Sequence, residues 1–124
     1  MKSKVYFAAA KDANDIRTVN GKLKRLLEKS RVLDFIQKEY RVAIKIHFGE
    51  EGNTGFVKPE HVRLVCAAIS DKGAKAFLAE TNTLYKGRRT NSREHLLIAA
   101  EHGFRKEITG AEIVIPDDSQ KKTP

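Results

Sequence analysis

The chain has 124 residues, 40% of them apolar, which suits one domain with a single modest core. Its formal net charge of +8 favours anionic partners, and its single cysteine excludes an internal disulfide and a cysteine-held iron–sulfur cluster, which takes four. No apolar run approaches the roughly 20 residues that span a bilayer, and the start lacks a signal-peptide core. A cytoplasmic location with no membrane contact is therefore expected.

In chain order, Val5 to Ala10 reads as a first strand. Asn20 suits the cap of a helix in which Leu23, Leu26 and Leu27 recur at helical spacing, and Val32 to Gln37 adds a short helical piece. Val42 to Phe48 is the clearest strand, with Val42, Ile44, Ile46 and Phe48 on one face and Ala43, Lys45 and His47 on the other. A glycine-punctuated loop follows. Pro59 and Glu60 suit the start of the next helix, whose stripe is Val62, Val65, Cys66 and Ile69 and whose stop is Gly73. Cys66 reads as a small buried hydrophobe.

Ala76 to Ala79 gives a third strand, leaving through Glu80 to Tyr85 and the basic turn Lys86-Gly87-Arg88-Arg89. Asn91 or Ser92 caps a third helix, packed through Leu96, Leu97 and Ala100 and ended by Gly103. Ile113 to Ile115 is a fourth strand. Residues 1–115 are expected to form one domain, and the polar residues 116–124 a frayed tail. Strands alternating with helices imply an α/β fold: a small, mainly parallel, Rossmann-like sheet of about four strands with helices packed on its faces.

Open α/β sheets bind ligands outside the carboxyl ends of their strands. Two segments meet that rule. The first is Lys45, His47 and the loop carrying Gly49, Glu50, Asn53 and Thr54. Lys45 either neutralises an anion or pairs with Glu50 or Glu80. His47 is either a structural imidazole or a group that hydrogen-bonds a ligand, shuttles a proton or binds a metal. The second segment is Glu80 to Asn91, where Thr81, Asn82 and Thr83 offer hydroxyl and amide groups and Arg88 and Arg89 precede a helix start.

Other constellations say less. His95 and His102 are two turns apart on one helix face and read as surface, and no histidine has tight metal-ligand spacing. Glu50 and Glu51 diverge, so Glu80 with His47 is the better acid/base pair if their strands are neighbours. The catalytic candidates are thus His47, Lys45 and Glu80, and the binding candidates Gly49, Glu50, Asn53, Thr54, Thr81, Asn82, Thr83, Arg88 and Asn91. No dinucleotide or P-loop glycine pattern is present.

The run from Val42 through Glu50 with Gly52-Asn53-Thr54, and Thr81 to Tyr85 with Gly87-Arg88 and Asn91, resembles the domain of unknown function 362 family along nearly the whole chain. That resemblance implies an α/β region followed by a ferredoxin-like segment whose cysteines hold 4Fe–4S clusters. The family usually has aspartate where Glu80 stands and an Asp-Gly turn where Asp117 meets Asp118. The cluster-binding cysteines are absent, so no cofactor is expected in this chain and it reads as a truncated relative. The expected function is binding of a small anion, or a metal, between the two loops. Nucleic-acid binding through the net charge is the alternative, as is an interaction module that forms a homo-oligomer through an exposed sheet edge.

Overall fold

A computed structural model describes residues 1–117, so the tail expected over 116–124 lies, from 118 on, outside the described residues. Three strands, β1 (Arg41–Lys45), β2 (Lys75–Ala79) and β3 (Glu112–Val114), form a parallel sheet in the order β1-β2-β3. Among the described residues four helices accompany them: α1 (Ile16–Ser30) ahead of β1, α2 (Pro59–Ser70) between β1 and β2, and α3 (Ser92–Glu101) with the short α4 (Lys106–Thr109) between β2 and β3. The α/β class and parallel pairing are as expected, with one strand fewer.

The missing strand is Val5 to Ala10. It has no ladder partner, and Val5 and Phe7 are 88% and 84% exposed. Strands draw their stability from pairing and from a packed face, and three of these six residues are alanines with little side chain to pack. The segment runs beside α1 instead, where Lys22 Nζ donates to the Ala9 carbonyl.

Helix α1 starts earlier than the Asn20 cap predicts. Asp15 caps it by accepting from Thr18 N at 3.0 Å. Asn20 lies inside the helix, where its side chain reaches Glu60 O and His61 Nδ1 on α2. Residues 32–35 form turns rather than a helix, although Ile36 and Leu33 do face the core.

Helix α2 follows expectation. Pro59 opens it, and Val62, Cys66 and Ile69 are buried against the sheet. They meet Ala76 and Leu78 of β2, with Val42 and Ile44 of β1 packed on the same cluster. Helix α3 meets its expected face only in part, since Leu96 packs against the core. His95, Ile98 and Ala99 are buried, whereas Leu97 is exposed. These residues and His102 form an i, i+3, i+4, i+7 stripe. Phe104, just past α3, fills the space beside Phe48 with ring centroids 5.1 Å apart.

Candidate functional site

Parallel pairing places Lys45 opposite Ala79, so the exits of β1 and β2 lie side by side and point the same way. The polar centre begins with Glu80. It continues the buried face of β2, Ala76-Leu78-Glu80, and so carries a carboxylate onto the core side at 4% exposure. Such a charge must be paired and hydrogen-bonded. Lys45 Nζ donates to Oε1 at 3.0 Å, and the Phe48 amide donates to Oε2 at 3.1 Å. Arg89 Nη2 lies 3.0 Å from Oε2. Burial alone would raise the Glu80 pKa, but the Lys45 hydrogen bond, the Phe48 amide and the Arg89 charge together hold it below the usual carboxylate range.

Arg89 is the hub, at 3% exposure. Loop 83–90 folds it back: Thr83 N donates to Arg89 O at 2.9 Å, and Thr90 Oγ1 donates to Gly87 O at 2.7 Å. One edge of its guanidinium binds Glu80. Its Nε faces His95 Nε2 at 3.4 Å. Its Nη1 meets Glu50 Oε1, the Tyr85 hydroxyl at 3.1 Å and His47 Nε2 at 2.9 Å. Arginine's fork of five donors suits this many-sided contact.

His95 is fully buried. Asn82 Nδ2 donates to Ser92 Oγ at 3.0 Å, which leaves Asn82 Oδ1 to accept from His95 Nδ1 at 3.1 Å. That sets the tautomer, with Nε2 accepting from Arg89. Burial pushes the His95 pKa down, and the Arg89 charge pushes the same way. His102 donates to Phe48 O at 2.8 Å and stacks on Phe56 at 4.4 Å, fixing the start of the glycine loop. Both histidines are therefore structural groups of the site rather than the surface residues expected.

The mouth is formed by His47 and Glu50. His47, with a side chain 55% exposed, accepts from Gly49 N through Nδ1 at 2.9 Å while Nε2 faces Arg89. A neutral imidazole has one lone-pair nitrogen, so it satisfies one of these two donors at a time. Glu50 Oε1 accepts from the Tyr85 hydroxyl as well as Arg89, and those two contacts in that order hold the Glu50 pKa down. Tyr85 is pushed up in return, chiefly by that hydrogen bond. A cleft of about 310 Å³ opens here, lined by His47, Glu50, Asn53 and Phe56 among others.

The structure thus gathers Lys45, His47, Gly49, Glu50, Asn53, Glu80 and Asn82 at one end of the sheet. Thr83 takes part through its backbone amide. Asn91 is the α3 cap, accepting from Glu94 N at 3.0 Å, and Thr54 and Thr81 are exposed away from the network. Arg88 points outward to Glu101, with two bonds of 2.7 Å, and to Glu51 and Glu94. The inward arginine is its neighbour, Arg89. Glu80 and His47 do not pair directly, because Arg89 stands between them.

Among the described residues no group of three or more His, Cys, Asp or Glu side chains is arranged to hold a metal, and no buried side-chain nitrogen or oxygen lacks a hydrogen-bond partner. An iron–sulfur cluster does not fit these residues either. The single cysteine, Cys66, faces the core of α2 at 4% exposure, and burial pushes its thiol pKa up, away from the thiolate a cluster needs.

Fold and site together define a small parallel α/β domain with a buried arginine–carboxylate network where two neighbouring strands end. The chain belongs to the family described as domain of unknown function, DUF362, whose model matches residues 42–123, about two thirds of the chain. The matched span includes both site segments and leaves α1 and the N-terminal segment outside it. Comparison with curated proteins and with solved structures gives no match.

Proposed function

We propose that this domain binds a small oxyanion, a carboxylate or a phosphate, in the cleft at the carboxyl ends of β1 and β2. One observation carries the reading. Two donors distant in sequence from Glu50, Arg89 Nη1 and the Tyr85 hydroxyl, meet one oxygen of its carboxylate at the edge of an open cleft, with His47 Nε2 4.0 Å from the same oxygen. A buried guanidinium aimed at a partly exposed rim suits charge-assisted, geometrically selective anion binding. Arg89 is the principal contact, held from behind by Glu80 and His95. Lys45 balances Glu80, and Asn53 lines the rim.

The resemblance to iron–sulfur-associated proteins favours placing such a domain in a larger oxidoreductase-like assembly, in which any cluster is held by other residues. The test is calorimetric titration with inorganic phosphate. His47→Ala with Tyr85→Phe changes two side chains that are both more than half exposed. It should weaken binding about tenfold or more without unfolding, and unchanged affinity would refute the site.

A second reading, nucleic-acid binding, is favoured by α1. That helix carries Arg17, Lys22, Lys24, Arg25 and Lys29 against one acidic residue, Glu28. It is separate from the cleft and is tested separately below.

A further inference from the structure

The carboxylate at the cleft mouth belongs to the protein itself. Glu50 Oε1 takes the bonds from Arg89 and Tyr85, and His47 Nε2 stands 4.0 Å away. The two carboxylates of the network differ in how they are held. Glu80 is buried and also tied to the Phe48 amide of the β1 exit. Glu50 is partly exposed, lines the cleft, and binds through side chains alone. Its loop runs between two glycines in left-handed conformations, Gly49 at φ +91° and Gly52 at φ +73°.

We infer that Glu50 is a displaceable internal ligand, whose carboxylate holds the oxyanion position until the oxygen of an external carboxylate or phosphate replaces it. The inference rests on the anion-binding reading above and adds its gate. Removing Glu50 from the pocket leaves Arg89 fixed, because Nη2 keeps Glu80 and Nε keeps His95. Only Nη1 and the Tyr85 hydroxyl lose a hydrogen-bond partner, and both sit behind Glu50, which lines the cleft. His47 then completes the exchange. In the tautomer whose Nδ1 accepts from Gly49 N, Nε2 carries the proton, so it gives up its contact with Arg89 Nη1 and donates to the incoming oxygen instead. The internal carboxylate competes at an effective concentration of roughly millimolar or more, so the wild-type domain responds only to ligands that offer a better oxyanion or a further contact.

Calorimetric titration with inorganic phosphate and with acetate tests this on the wild type, Glu50→Gln, Glu50→Ala and Glu51→Ala, each checked for folding by circular dichroism. Glu51 is the control: it neighbours Glu50, carries the same charge, and pairs with Arg88 instead of Arg89. Both Glu50 variants should bind phosphate about tenfold tighter or better than wild type, and Glu51→Ala should stay within about twofold. Equal tightening in Glu51→Ala would reduce the effect to net charge and overturn the inference. Phosphate binding to the wild type that stays equal or weakens in the Glu50 variants would make Glu50 part of the ligand's own site, overturning the gate and leaving the anion site. Silence from all four proteins would remove the site and the gate together.

Discussion

Arg89 Nη2 lies 3.0 Å from Glu80 Oε2 with both side chains buried, so each charge depends on the other rather than on solvent. Breaking such a pair from one side leaves an uncompensated buried charge, at a cost of about 3–5 kcal/mol. Arg89→Met and Glu80→Met should each lower stability by about that much in urea unfolding followed by circular dichroism. The double variant should cost clearly less than the sum. Strict additivity would mean that the two residues act separately.

Lys45 bonds the same carboxylate, yet its side chain is 67% exposed. Solvent screens it and its long chain loses entropy on pairing. Lys45→Ala should cost less than about 1 kcal/mol. A loss rivalling that of Arg89→Met would move the hub of the network to the lysine.

His95 makes the fold sensitive to mild acid. Its folded pKa is depressed by burial and by Arg89, and the unfolded imidazole titrates near 6.5. The unfolded state therefore takes up the proton first, and stability falls as pH drops through about 6.5. Glu80 and Glu50, also depressed, withdraw their contributions only at lower pH, in the carboxylate range. Urea midpoints at pH 7.5, 6.0 and 5.0 should decline more steeply for wild type than for His95→Gln. Parallel declines would place the proton elsewhere.

Gly49 carries the loop past two rings. An added Cβ would come within 2.5 Å of Phe56 Cδ1 and 2.7 Å of His102 Nδ1, at φ +91°. Gly49→Ala should cost about 2–4 kcal/mol, from strain and from displaced rings. Gly52 shares the positive φ but has open space around it, so Gly52→Ala should cost only about 1 kcal/mol. Similar losses at both positions would show that the rings give way freely.

If α1 contacts nucleic acid, a mobility shift with a short duplex should fade steeply between 50 and 200 mM salt, by about tenfold or more for several phosphate contacts. Lys24→Glu with Arg25→Glu should abolish it while phosphate affinity in the cleft stays unchanged. No shift at low salt would leave α1 as a solvated face.

Much of this is legible in the sequence. Alternation along Val42 to Phe48, Pro59 at a helix start and Asn91 as a cap placed β1, α2 and α3, and the strand-end rule pointed to the segments that carry the buried polar network. Two adjacent arginines are a different matter. Which one turns inward depends on the path of loop 83–90, set by Thr83, Gly87 and Thr90, and nothing local distinguishes Arg88 from Arg89. His95 was readable in principle: its stripe with Ile98, Ala99 and His102 competes with the more hydrophobic Leu96-Leu97 face. On that stripe His95 meets Arg89 at 3.4 Å and Glu80 at 3.5 Å, partners from distant parts of the chain that helical spacing alone does not reveal. The Val5 to Ala10 segment has strand-like composition, but pairing is a tertiary event that composition does not encode.

Cys66 also acts as a clock. Enclosed in α2 beneath the sheet, its thiol meets a labelling reagent only when the core parts, so the rate of modification in native buffer measures how often this domain opens. A ligand that stiffens the strand ends would slow that rate without ever approaching the sulfur.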